Sequence, residues 1–380
     1  MSYANEFRFG LETEYILADR MTYQPFWHKN LKFNDINNIL ERISLEGLPR
    51  WDDLELESPH KKLMPYVVEG YHLPDMDFKA IDILPKGVEI RTPVCSSISQ
   101  CLSVHQTLFQ RLQDQLALEG LTTVALSHHP TESHFNGPQN KRRHDYWLWS
   151  MEVMTTYGPD INVGIPEEMM KSLDLKDFLA KINYYAAAMT VFSLAAPFHN
   201  GKLWEIRGIT GKSLRTYRRS IIAPPIEVHP NENNRLEFKV FDMSTKVQDY
   251  ENFFLLFLTL LLDTKLLGRA SDASRIYDQG AVAVHGWSAP SIRERSIELL
   301  EAADRTLPKY GFSPDSLQSF EERVRLLQTP ADELIQLYND TNSNLSAVLQ
   351  TLSGLVPSFL PPLPVLPSLP SLSNSCVRSA

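Results

Sequence analysis

An α+β protein built on an antiparallel sheet is the fold class that these 380 residues predict, and three observations predict it. Strand-like stretches at 6–17, 87–94, 121–127, 160–165, 202–209 and 235–242 are short and alternate apolar with polar residues at period two. Longer helical patterns, at 98–119, 143–156, 174–196, 248–267, 291–305 and 315–327, lie between them. No strand is the continuous apolar run that a parallel sheet covered on both faces requires. A sheet with one polar face is therefore expected, with the helices packed on its other, outer face.

The first strand carries "RFGLETEY". Phe7, Phe9, Leu11 and Tyr15 fall on one side, and Arg8, Gly10, Glu12 and Glu14 on the other. Glutamate is depleted in strands and like charges repel, so two carboxylates on one face are either solvated or held by something positive. The device recurs as Glu89 and Arg91 in "VEIRTP", Glu205 and Arg207 in "LWEIRG", and Glu237 and Lys239 in "LEFKVFD". If these strands share a sheet, Ile90, Ile206, Phe238 and Val240 pack on the core while the opposite face presents carboxylates beside cations. Any one pair reads as a solvated cross-strand ion pair worth about 0.2–1 kcal/mol. As a set, clustered carboxylates suit a hard cation such as Mg²⁺, which takes oxygen ligands and keeps substrate phosphates in its shell. The neighbouring cations suit phosphate or carboxylate oxygens.

Among the helices, "FFLLFLTLLL" at 253–262 is far shorter than the roughly 20 residues that cross a bilayer, and it reads as a buried helix. In "KSLRTYRRSI", Arg215, Arg218 and Arg219 form a positive cluster, either a phosphate holder or a solvated helix face. The preceding "RGITGKS" is no P-loop, because Ile206 stands where that motif needs glycine. No Gly-x-Gly-x-x-Gly run or Gly-x-Ser-x-Gly elbow occurs, and His128, His129 and His134 fit no zinc spacing.

Hydrophobic and charged fractions of 43% and 22% are those of a globular chain. A net charge of −9 argues against a general nucleic-acid surface and leaves a small-molecule, anionic ligand possible, with no membrane expected and the oligomeric state open. Cys95, Cys101 and Cys376 form no disulfide framework, and the start lacks the basic and apolar regions of a signal peptide, so a cytoplasmic location is expected. From 356 the composition turns proline-rich, with Pro361, Pro364, Pro367 and Pro370 at polyproline II spacing. The expected division is a folded unit over 1–355 and a disordered tail over 356–380.

The ordered set "GLETE", "EIRTPVC", "DINVGIP", "RTYRR" and "LEFKVFD", spanning about residues 6–270, resembles the carboxylate-amine ligase family, the second group of glutamate-cysteine ligases. That resemblance implies a glutamine-synthetase-like fold whose antiparallel sheet forms a funnel binding ATP and Mg²⁺. It implies Glu12, Glu14, Glu89 and Glu237 as metal ligands, Arg218 and Lys239 as catalytic cations facing phosphate or the acid substrate, and Asn162 beside them in nucleotide binding. Glu205 and Arg207 fall outside the family pattern. The chain departs from that pattern at Asp160 and Asn162, where the family typically has two histidines, and at Lys239, which lacks the bidentate fork of the usual arginine. The activity implied is ATP-dependent joining of the γ-carboxylate of glutamate, or a similar acid, to an amine such as cysteine through an acyl phosphate. The alternatives are a catalytically silent nucleotide- or metabolite-binding member of the fold and a guanidino-type phosphotransferase. Removing residues 357–380 is expected to leave melting temperature and turnover nearly unchanged, and a large loss of either in the truncated protein would show that the segment docks.

Overall fold

The computed structural model describes residues 3–354, and the proline-rich tail lies outside the described residues. Eleven strands occur among them: β1 (Arg8–Asp19), β2 (Tyr66–Pro74), β3 (Ala80–Arg91), β4 (Leu121–Val124), β5 (Pro159–Gly164), β6 (Phe198–His199), β7 (Lys202–Leu203), β8 (Glu205–Ile206), β9 (Ile209–Thr210), β10 (Ile226–His229) and β11 (Arg235–Phe238). Seven build one sheet in the order β10-β11-β5-β1-β3-β2, with β4 pairing the far end of β1. Every pairing in it is antiparallel, and the sheet curls into a half-barrel.

Register explains the alternation. Phe9 lies opposite Val163, and Leu11 opposite Ile161; Phe238 and Leu236 meet Ile161 and Val163 from the other side; Thr13 and Tyr15 meet Ile90 and Val88. All of these side chains are buried on one face. Against that face pack α2 (Ile98–Leu118) and α7 (Val247–Leu262), with α5 (Leu175–Thr190) and α9 (Ile292–Tyr310) packed in turn on α7. The α7 run from Phe253 to Leu260 is buried all round, which is why its sequence carries no amphipathic stripe. Its rings stack on the sheet end: Phe253 on Phe241 with centroids 4.0 Å apart, and Phe257 on Phe238 at 4.9 Å.

One expected strand is absent from this sheet. The 202–209 stretch splits into two-residue pieces, in which β8 pairs only with β9 and β6 only with β7. Arg207 and Gly208 both adopt positive φ, 51° and 78°, closing a tight hairpin between Ile206 and Ile209. Ile206 accordingly packs on a small separate cluster of Trp204, Leu214 and Val284, not on the main core. Glu205 and Arg207 take no part in the charged face. Conversely, β2 and β10 join the sheet unannounced, and Gly70 of β2 lies where the pairing with β3 steps across a bulge.

Phe238 is fully buried beneath the strand that carries Glu237. Phe238→Ala is expected to cost about 3–5 kcal/mol in chemical denaturation, the usual range for truncating a buried phenylalanine.

Candidate active site

The same registers that bury the apolar face gather the polar one. Glu12 stands opposite Arg91 on β3 and Asp160 on β5, Glu14 opposite Glu89, and Glu237 opposite Asn162 and Glu227. The four glutamates expected as metal ligands thus share one face of one sheet. They form two groups: oxygens of Glu12, Asp160 and Glu237 lie within 4.8 Å of one another, as do those of Glu14, Glu69 and Glu89. A third set, Glu227, His229 and Glu237, shares Glu237 with the first.

Cations thread the first group. Lys239 Nζ lies 2.9 Å from Glu237 Oε1, 3.5 Å from Glu227 Oε1 and 3.6 Å from Asp160 Oδ2. Arg235 Nη1 approaches Glu237 Oε2 at 3.2 Å and donates to Asn162 Oδ1 at 2.7 Å. Asn162 Nδ2 in turn donates to Glu12 Oε1 at 3.1 Å, so the asparagine ties Glu12 to Arg235. Burial, then the charges of Glu237 and Asp160, push Glu12 up to about 7. Burial and Asp160 also raise Glu237, against the pull of Lys239. Burial alone would lower Lys239, but Asp160 and Glu237 outweigh it and hold the ammonium above its ordinary value. Glu12 and Glu237 resist ionisation, and with Asp160 they form a crowded, all-oxygen set that fits a hard divalent cation able to relieve the repulsion.

Above Glu12, Asn162 and Glu237 opens a cleft of about 270 Å³, bounded on its far side by Asp53, Glu55 and Glu57. Arg91 fastens that strap, donating to Glu57 Oε1 at 2.9 Å and to the Glu55 carbonyl at 3.1 Å, while Asp53 Oδ2 accepts from Val94 N at 2.7 Å.

The basic cluster divides differently from its expected roles. It lies on α6 (Leu214–Ile222), whose first turn is capped by Ser213 accepting from Thr216 N. Arg218 donates to the Ser133 carbonyl at 2.8 Å and to Thr155 Oγ1 at 3.0 Å, and pairs with none of the carboxylates. Arg215 instead reaches the sheet: 2% exposed, it lies 3.5 Å from Asp242 and donates to the Lys239 carbonyl at 3.3 Å. A Cβ at position 158 would lie 2.0 Å from Arg215 Nη2, so Gly158 makes room for the guanidinium. Asp160, Glu69, Lys86 and Arg235 were not singled out as site residues by the sequence. Period two carries a signal for Asp160, Glu69 and Arg235, each on the same face as its neighbours, but Lys86 has none. It is the extra residue where the pairing skips from Gly87 to Pro85, and the bulge turns it onto the charged face.

Because the folded protein holds the Glu12 proton more tightly than the unfolded chain does, the contribution of Glu12 to the stability of the metal-free protein is present at low pH and is lost as pH rises from about 4.5 through about 7. Relative to wild type, Glu12→Gln is expected to gain stability across that window, by no more than about 1.4 kcal/mol per pH unit, and to level off above it. Thermal melts of both proteins at stepped pH measure the difference.

Residues 8–221 match the Glutamate-cysteine ligase family 2. No curated protein matches the chain. Among solved structures, a bifunctional glutathione synthetase from Pasteurella multocida superposes with a TM-score of 0.61 at 12% identity, covering 92% of this chain and 52% of that one. This chain therefore spans about half the length of that enzyme. A glutamate–cysteine ligase from Francisella tularensis, in complex with AMP, gives 0.61 at 11% identity over 93% of this chain and 88% of that one. A chain of the complex between the prokaryotic ubiquitin-like protein Pup and its ligase PafA gives 0.51 at 12%, over 92% and 67%. Such identities establish the shared fold, the glutamine-synthetase-like arrangement of an antiparallel sheet backed by helices. With the family match covering more than half its length and the carboxylate-bearing strands of the ordered motifs assembled in one sheet, this chain belongs to the Glutamate-cysteine ligase family 2, the carboxylate-amine ligases.

Proposed function

We propose that the chain is an ATP- and Mg²⁺-dependent ligase that joins a carboxylate, the γ-carboxylate of glutamate or a similar acid, to an amine such as cysteine through an acyl phosphate. The observation that carries this reading is the convergence of Glu12, Asp160 and Glu237, interleaved with Lys239 and Arg235, beside a cleft that Glu12, Arg235 and Glu237 line. Glu12, Asp160 and Glu237 would hold Mg²⁺, which supplies charge neutralisation for the nucleotide phosphates. Glu14 and Glu89 belong to the neighbouring group. Lys239, with few ties besides carboxylates, turns from Glu237 to the transferring phosphate as a point charge. Asn162 keeps Glu12 and Arg235 in register beneath it.

The chemistry asks these residues mainly for position and charge. A substrate carboxylate oxygen attacks the terminal phosphorus of ATP, ADP departs, and the acyl phosphate is captured by the amine with loss of phosphate. The strap at 53–57 limits access of water to the activated acyl group. Arg218, bound to Ser133 and Thr155, acts in this reading through the wall behind α6 and not on the phosphate.

ADP release from MgATP and glutamate across a panel of amines, with products identified by mass, tests activity and substrate together. An amide product is expected; ADP with a phosphorylated guanidino product would move the chain to the phosphotransferases, and MgATP binding without turnover would make it a silent member. Glu12→Gln is expected to stay folded, to lower ADP formation at least a hundredfold, and to lose the rise in melting temperature that MgATP gives wild type. An unchanged MgATP-dependent rise would remove Glu12 from the metal site.

A further inference from the structure

The second carboxylate group differs from the first in how it is neutralised. Lys86 Nζ donates to Glu14 Oε1 at 2.7 Å and to the Thr156 carbonyl at 2.8 Å, and lies 3.7 Å from Glu69 Oε1. Only 4% of its side chain is exposed, and it sits 5.1 Å from the centre of the Tyr157 ring. Gly158 N adds a further donor to Glu14. Glu89 receives nothing comparable: 9% exposed, it makes no hydrogen bond or ion pair among the described residues, although its oxygen lies within 4.8 Å of those of Glu14 and Glu69. With no protein donor and only a small remaining opening, this carboxylate is placed to receive a ligand that supplies one.

We propose that Glu14, Glu69 and Glu89 form the pocket for the ammonium end of a primary amine, the nucleophile of the ligase reaction, and not a second divalent-metal site. This assignment rests on reading the chain as a carboxylate-amine ligase. An ammonium offers three donors, and the group offers three acceptor carboxylates. Lys86 already demonstrates the match, since its own ammonium is satisfied there by two carboxylates and a carbonyl. A dication would have to sit beside this fixed charge, which is anchored to backbone and buried, and Coulomb repulsion at such range is severe. The cation of the first group is less confined: Lys239 is 16% exposed and its Nζ touches carboxylates only, so it can give way to a metal by turning toward phosphate.

The spacing suits the reaction. Glu14 follows Glu12 by two residues on β1, about 7 Å along the strand, so a phosphate held at the first group and an amine held at the second approach an acyl carbon from different sides. In the capture step one N–H bond of the ammonium breaks and its proton passes to a carboxylate of the pocket. The freed lone pair forms the C–N bond while the bond between the acyl carbon and the phosphate oxygen breaks, and that electron pair leaves with inorganic phosphate, which takes the second N–H proton as the amide forms.

The test counts metals and probes the pocket directly. Mn²⁺ titration followed by electron paramagnetic resonance should lose one bound ion in Glu12→Gln and none in Glu89→Gln. Methylammonium chloride should raise the melting temperature of wild type above the value in equal tetramethylammonium chloride, and Glu89→Gln should abolish that difference while remaining folded by circular dichroism. Glu69→Gln, expected to weaken the same difference severalfold, serves if Glu89→Gln fails to fold. Loss of a Mn²⁺ ion in Glu89→Gln or Glu69→Gln, a methylammonium effect that survives either substitution, or none in wild type would each overturn the pocket. Absence of ADP formation with every amine, alongside an intact methylammonium effect, would instead overturn the ligase reading and leave the ammonium site standing.

Discussion

Everything in this molecule depends on how a central strand can carry two carboxylates and still be paired on both sides. β1 is bonded to β5 and β4 along one edge and to β3 along the other, so Glu12 and Glu14 cannot escape by fraying or slipping. A one-residue slip would send Phe9 and Leu11 to the charged face and the glutamates into the core. The apolar side therefore fixes the register, and the register forces the acids of both carboxylate groups, from five strands, together. Their repulsion is tolerated because cations arrive on the same face, and because the core beneath, with α7 buried all round, supplies the stability that this crowding removes.

Two lysines meet two carboxylate groups, yet they are held in different ways. Lys86 has a backbone carbonyl, a ring and almost no exposure, the marks of a permanent counter-ion. The ammonium of Lys239 has only carboxylates for partners, and a charge held by charges alone is released once another cation takes its place. The replacement of a forked guanidinium by an ammonium at this position is therefore more than a loss of geometry. A single rotatable charge can serve the empty and the occupied site in turn, where a bidentate arginine would stay locked to one partner.

Much of this was legible in the sequence because period two is a strong signal where one face is buried. Glu12, Glu14, Glu89 and Glu237 reach one face as their alternation requires, and the run at 253–262 is the buried helix its composition describes. What the sequence hid follows from departures from that period. "LWEIRG" has the same alternation as its three counterparts, but Arg207 and Gly208 turn the chain back within two residues, and alternation over so short a stretch cannot tell a sheet strand from a hairpin. Lys86 is hidden for the opposite reason, since a bulge places on the charged face a residue that strict alternation assigns to the core. The division of labour between Arg215 and Arg218 is helical: three positions apart, they point to neighbouring but distinct directions, and only the room left by Gly158 shows which one reaches the sheet.

The substitutions at Asp160 and Asn162 then acquire a physical meaning. Histidines at these positions would bring neutral nitrogen donors, whereas Asp160 adds a third charge to Glu12 and Glu237 and makes the set purely oxygen. That strengthens the preference for a hard ion and increases the repulsion that must be balanced when none is bound. Asn162 answers the second demand. Neutral itself, it donates to Glu12 and accepts from Arg235, passing the influence of a cation to the acid most raised by its neighbours in the first group without placing another positive charge in the metal's way. The pair is better understood as one exchange, charge gained at 160 and a relay gained at 162, than as two losses, because either change alone would leave Glu12 with too much repulsion or the metal with too few ligands.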